Sequence, residues 1–169
     1  TYSKAKFLSS KYLIYLYKKY NFPSTVLRLY QAYGSKQDFN RLIPIIIKSC
    51  ILGKKFPCSE GKQYRDFVHV NDVVDAIVKV IESKDSKGQI LNLGSGKPTN
   101  IKKLIILIKN KIGSGEPLFG RIKLRTEENI KVYPEIKKIK KILNWLPKVN
   151  FNVGLNNTIK DYKNFFYKT

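Results

Sequence analysis

The sequence predicts an α/β fold with parallel strands. Short β-branched apolar runs alternate along the chain with helical patterns, which is how strands and crossover helices are strung together. The runs at residues 25–30 and 89–93 read as strands buried on both faces. At 169 residues and 43% hydrophobic composition, the chain can bury a real core, and disorder is excluded.

Residues 2 to about 20 form the first predicted helix. Leu8, Tyr12, Tyr15, Leu16 and Tyr20 recur near helical spacing, and Asn21-Phe22-Pro23 stops it. The strand at 25–30 (TVLRLY) leads into a polar loop opened by Gly34 and Ser35. Residues 42–52 are apolar enough for a helix that Gly53 ends, with Pro44 in its first turn. A loop is expected over 54–63, then a strand over 67–70. Asn71 is the expected cap of a helix through Glu82, with Asp72 and Asp75 near its positive end. After the strand at 89–93, Gly94-Ser95-Gly96 makes a turn. Thr99 or Asn100 caps a helix with Ile101, Leu104, Ile105, Ile108 and Ile112 on one face. A strand is expected at 122–124, a helix from Pro134 carrying Ile136, Ile139 and Leu143, and a last helix over about 153–167. The strands at 25–30, 67–70 and 89–93 are expected in one sheet.

Lys and Arg total 33 against 12 Asp and Glu, a net charge of +21. The bases are 28 Lys and only 5 Arg, spread over the whole length. Nucleic-acid sites favour clustered Arg with aromatics placed to stack on bases, so no nucleic-acid partner is expected. No run approaches the ~18 apolar residues of a membrane span. Cys50, Cys58 and a single His69 give no zinc spacing and no disulfide framework, so free thiols in a cytoplasmic protein are expected.

Tyr2 and Lys6 are four apart near a helix start, so both project from one face. An ammonium beside a phenol stabilises the phenolate, and the pair can act as a general base on an alcohol. Tyr15 and Lys19 repeat the spacing, so spacing alone leaves a solvated face open. Gly94-Ser95-Gly96-Lys97 fails the phosphate-loop pattern, because Pro98 stands where Ser or Thr is needed. Arg65 is one of few arginines, and either a phosphate contact or an ion pair suits its fork.

Several separated segments together resemble one family. Tyr2-Ser3-Lys4-Ala5-Lys6 resembles a catalytic Y-x-x-x-K, and the run from Arg28 to Gly34 resembles R-x-x-N-x-Y-G. Leu42-Ile43-Pro44 matches L-I-P, and the run from Gly61 to Val73 resembles G-x-x-x-R-D-F-V-x-V-x-D-V. The run from Leu91 to Gly96 resembles N-x-G-S-G, and Leu143 to Pro147 resembles L-G-W-x-P. In this order they resemble the C-terminal half of an extended short-chain dehydrogenase/reductase, of the NAD-dependent sugar-nucleotide epimerase/dehydratase kind.

The resemblance implies the C-terminal part of a Rossmann-like parallel-sheet fold plus a smaller α/β substrate-binding lobe. Residues 1–35 and 65–96 would belong to the first, and 36–64 and 97–169 to the second. The N-terminal dinucleotide-binding half is expected to be absent, with its glycine-rich loop, so the chain alone is expected to be inactive. Tyr2 would be the acid/base at C4 of an NDP-sugar. Lys6 would hold the nicotinamide ribose and support Tyr2, and Tyr30 would line the nicotinamide pocket. The cofactor would be NAD or NADP. Gln31 stands where a substrate-contacting Asn is common. Arg41 and Leu42 would lie near the nucleotide, Phe56 and Cys58 by the base, and Arg65 and Arg125 on the diphosphate. Arg125-Thr126-Glu127-Glu128 departs from the commoner R-P-G-D. A homodimer through the first helix is implied for the full-length protein. The alternatives are a non-catalytic nucleotide-sugar-binding remnant and a basic nucleic-acid-binding domain.

Overall fold

A computed structural model describes residues 2–167. The chain opens with helix α1 (Tyr2–Tyr20) and continues through β1 (Val26–Leu29), β2 (Gln31–Tyr33), α2 (Leu42–Ile51), β3 (Lys55–Pro57) and β4 (Tyr64–His69). There follow α3 (Val70–Glu82), β5 (Ile90–Leu93), β6 (Pro98–Asn100), α4 (Ile101–Ile112), β7 (Glu116–Leu118), β8 (Lys131–Val132), α5 (Lys137–Leu143) and α6 (Phe151–Tyr167). The α/β class is as the sequence predicts.

The expected single sheet is not what forms. β1 pairs in parallel with β5, Val26 opposite Ile90 through Leu29 opposite Leu93. β4 lies in another sheet, parallel to β2 and β8 and antiparallel to β6. The switch takes one residue. The Tyr30 amide still donates to the Leu93 carbonyl at 3.0 Å. From Gln31 onward the backbone pairs with β4 instead, Gln31 opposite Phe67. β3 and β7 form a third, parallel pair.

Two apolar cores result. One gathers Tyr33, Phe56 and Phe67 with the inner faces of α2, α4 and α6. The other gathers Val68, Leu91 and Leu93 with Val73 and Ala76 of α3, Ile139 and Leu143 of α5, and Trp145. Successive residues of a strand point to opposite faces, so Phe67 and Val68 of β4 serve different cores.

α4 is amphipathic as its spacing predicts, and the Asn100 side chain caps it by accepting from the Lys103 amide at 3.1 Å. Elsewhere the boundaries need correction. β3 lies in the expected loop, and residues 122–124 hold no strand. α5 starts at Lys137 rather than Pro134. The cap of α3 is His69, whose Nδ1 accepts from the Asn71 amide at 3.3 Å.

No side chain of α1 is buried. The helix is held toward its carboxyl end. The Ser24 hydroxyl donates to the Leu13 carbonyl at 3.1 Å. The Tyr17 ring lies against Gly88, where any Cβ would collide with it. Gly88 also sits at φ +71°, a conformation glycine adopts without cost.

Candidate functional site

A cavity of about 330 Å³ opens between α2, α4 and the segment that follows β7. Leu42, the first residue of α2, stands on its rim, and Phe56 and Cys58 form part of its wall. Phe56 is carried by β3, and the Cys58 amide donates to the Leu118 carbonyl at 3.0 Å, which extends the β3–β7 pairing by one rung. The Ile122 amide then donates to the Cys58 carbonyl at 3.1 Å. This bond brings Ile122, Leu124, Arg125 and Glu128 to the cavity. Four residues named by the family resemblance, Leu42, Phe56, Cys58 and Arg125, thus line one cavity.

Arg65 of β4 is not itself part of this lining and touches it through Glu128. Its Nη1 donates to the Tyr64 carbonyl at 2.8 Å and to the Ile130 carbonyl at 3.3 Å. Its Nη2 is ion-paired with the Glu128 carboxylate. Glu128 is tied back to Arg125 by a turn, its amide donating to the Arg125 carbonyl at 3.0 Å. Sequence reasoning gave Glu128 no role. The signal was its acid three residues after Arg125, in a chain where acids are scarce.

The neighbouring residue explains the Gly94-Ser95-Gly96 turn. Asp66 is fully buried and accepts from the Ser95 amide at 2.6 Å, the Ser95 hydroxyl at 2.8 Å and the Lys97 amide at 3.0 Å. A Cβ on Gly94 would meet Asp66 Oδ1 at 2.7 Å, so only glycine lets the turn close on the carboxylate. The turn's amides serve the chain's own anion, and buried charge is tolerated because it is fully bonded.

The remaining predicted residues lie outside this cavity's lining. Tyr2 and Lys6 sit on the open surface of α1, with the Lys6 ammonium 5.7 Å from the Tyr2 ring centroid. Lys19 stands over Tyr15 in the same way at 5.5 Å, so geometry alone does not single out the first pair. Tyr30 is half-buried at the sheet switch, Gln31 is exposed beside it, and Arg41 is exposed at the start of α2. Burial pushes the Cys50 thiol up to about 11 and raises the Cys58 thiol as well. Among the described residues no cluster of His, Cys, Asp and Glu could hold a metal, and no helix is long and apolar enough to cross a membrane.

Residues 1–94 match the NAD dependent epimerase/dehydratase family. The chain belongs to that family. Its fold has a TM-score of 0.90 against a UDP-glucose 4-epimerase from Thermotoga maritima solved with UDP-glucose, at 28% identity over 98% of this chain and 54% of that one. A dTDP-glucose 4,6-dehydratase from Bacillus anthracis, solved in complex with NAD, gives 0.84 at 27% identity over 96% of this chain and 51% of that one. In sequence, the dTDP-glucose 4,6-dehydratase of Haemophilus influenzae is 29% identical over 95% of this chain and 51% of its own length. The chain spans about half the length of the curated relatives it matches.

Proposed function

We propose that this chain is the nucleotide-sugar-binding half of an NAD-dependent enzyme acting at C4 of an NDP-sugar. The observation that carries the reading is the cavity that collects Leu42, Phe56, Cys58 and Arg125, with Arg65 beside it. An apolar wall with the Arg125 guanidinium in the lining, and Arg65 behind Glu128, suits a nucleobase joined to a diphosphate. Phe56 and Cys58 take the base side, Arg65 and Arg125 the diphosphate, and Leu42 and Arg41 the region between. Gln31, exposed at the start of β2, takes the sugar side. Residues 1–35 and 65–96 form the cofactor-facing part, and 36–64 with 97–169 the substrate lobe.

The donors available for a nicotinamide cofactor fit that group: a phenol hydroxyl and an ammonium share one open helix face, with half-buried Tyr30 at the strand end. NAD supplies hydride acceptance and return when bound. The chain's own residues do the rest. Lys6, on the same helix face as Tyr2, holds ribose hydroxyls. Tyr2 takes the proton of the C4 hydroxyl as general base and returns it as general acid.

The exposed Leu8, Tyr12 and Tyr15 of α1 support a second proposal, that the complete protein is a homodimer through this helix. Light scattering at micromolar concentration should then give twice the monomer mass, and a monomer would remove the proposal.

The deciding experiment is calorimetric titration of the complete protein with UDP and dTDP, before and after Arg65→Ala. Loss of the guanidinium should cost about 1.5–3 kcal/mol, the range for a hydrogen bond to a charged group. Incubation with NAD and UDP-glucose or dTDP-glucose then separates 4-epimerisation from 4,6-dehydration by the product formed. Failure of both nucleotides to bind, or equal binding by the Arg65 variant, removes the reading.

A further inference from the structure

We propose that Glu128 is an internal competitor for Arg65, which a diphosphate must displace before it can bind. This rests on the diphosphate reading given above. Arg65 presents two hydrogen-bonding edges. One is spent on the carbonyls of Tyr64 and Ile130. The other carries Glu128, and the pair is well enclosed, with the arginine side chain 15% exposed and the glutamate 31%. A carboxylate is the side-chain group closest in charge and acceptor geometry to a phosphate edge. Glu128 therefore fills the place an anionic ligand would take on this guanidinium.

The segment that carries Glu128 is suited to release it. It is anchored at one end by the Ile122 amide on the Cys58 carbonyl, and at the other by the Tyr64 amide on the Ile130 carbonyl at 2.7 Å. Between these anchors there is no helix or strand. Glu128 and Arg125 close one turn inside it. Motion that frees Glu128 from Arg65 therefore moves Arg125 as well. An incoming diphosphate exchanges the carboxylate for one phosphate on Arg65 and brings the second phosphate to Arg125. A ligand with a single negative charge gains nothing over the Glu128 it would replace. Glu128 in this way selects for a doubly charged linker and keeps Arg65 occupied without one. The chain's excess of cations makes the choice meaningful, because Glu128 has many lysines to pair with and is found on Arg65.

The test uses inorganic pyrophosphate and UDP on the complete protein, with dissociation constants read by calorimetry. Apparent affinity falls by the fraction of protein that is competent, so removing the competitor restores it. E128Q should tighten both ligands by about three- to tenfold, on that arithmetic. The gain should vanish when R65A is added. If Glu128 only props Arg65 in place, E128Q weakens both ligands, and the proposal is overturned. If it touches only the nucleoside, pyrophosphate affinity stays unchanged, and the proposal is overturned again. E128D keeps the charge and shortens the reach. It replaces E128Q if thermal melts show the glutamine variant unfolded, and must also tighten pyrophosphate. R65A alone separates the two levels. If it leaves UDP binding intact, the diphosphate reading fails. If it weakens UDP while neither Glu128 variant tightens pyrophosphate, only the competitor fails.

Discussion

Tyr2 and Arg65 stand at opposite extremes of enclosure. Tyr2 is 75% exposed on a helix with no buried side chain, and its named neighbour is Lys6. The Arg65 side chain is 15% exposed, on a strand shared by both cores, and it holds two carbonyls and a carboxylate. The difference is one of support. Arg65 is positioned by β4, which is paired on both edges. Tyr2 is positioned by its own helix, docked toward the far end at Leu13 and Tyr17. In this chain the proposed binding end is enclosed, while the proposed reaction end is an open surface.

The sharpest way to break the comparison is Tyr2→Phe in the complete protein. General acid–base catalysis contributes about 10²–10⁴-fold, so turnover should drop by that much. UDP affinity should hardly move, since the binding end stands without α1. Full activity in the variant would return Tyr2 to the same standing as Tyr15, which carries its own lysine at similar distance.

A stability pair tests the same contrast from below. Trp145 is 1% exposed in the core beneath β4. Trp145→Ala should cost about 3–5 kcal/mol by urea unfolding of the isolated chain. Tyr12→Ala on the open face of α1 should stay within about 0.5 kcal/mol. A comparable loss at Tyr12 would mean that α1 is packed more closely than its exposure shows.

A further contrast in burial concerns the thiols. Cys50 is raised from its ordinary 9.0 to about 11 by burial, and Cys58 moves the same way. A folded-state value above the unfolded one favours the protonated form in the fold. The contribution is therefore complete below pH 9 and is lost as pH rises from there through about 11. Thermal melts should fall across that window, and Cys50→Ala should flatten the fall without abolishing it, because burial also raises Tyr33.

What the sequence disclosed follows the same division. α4 was legible because Ile101, Leu104, Ile105 and Ile108 repeat over about two turns behind a capping Asn100. Leu42, Phe56, Cys58 and Arg125 were picked out by the family resemblance, and the structure brings these four to one cavity. β3, β6 and β7 were not legible, since three residues are too few to show any period. The sheet to which β4 belongs was hidden for another reason. Phe67 and Val68 look alike in a one-dimensional pattern, yet the partner is set by Gln31 and its neighbours, over thirty residues away. Glu128 was given no role because its partner lies sixty-three positions away, and its place three residues after Arg125 does not name that partner.

The alternation of Phe67 and Val68 along β4 reaches beyond positioning Arg65. One strand is a wall of both cores, so neither can melt and leave the other its full complement of contacts. Loss of β4 exposes apolar surface on two sides at once, which couples the cores into a single cooperative unit. The two cores share one fate on unfolding, although the strands that wall them lie in separate sheets.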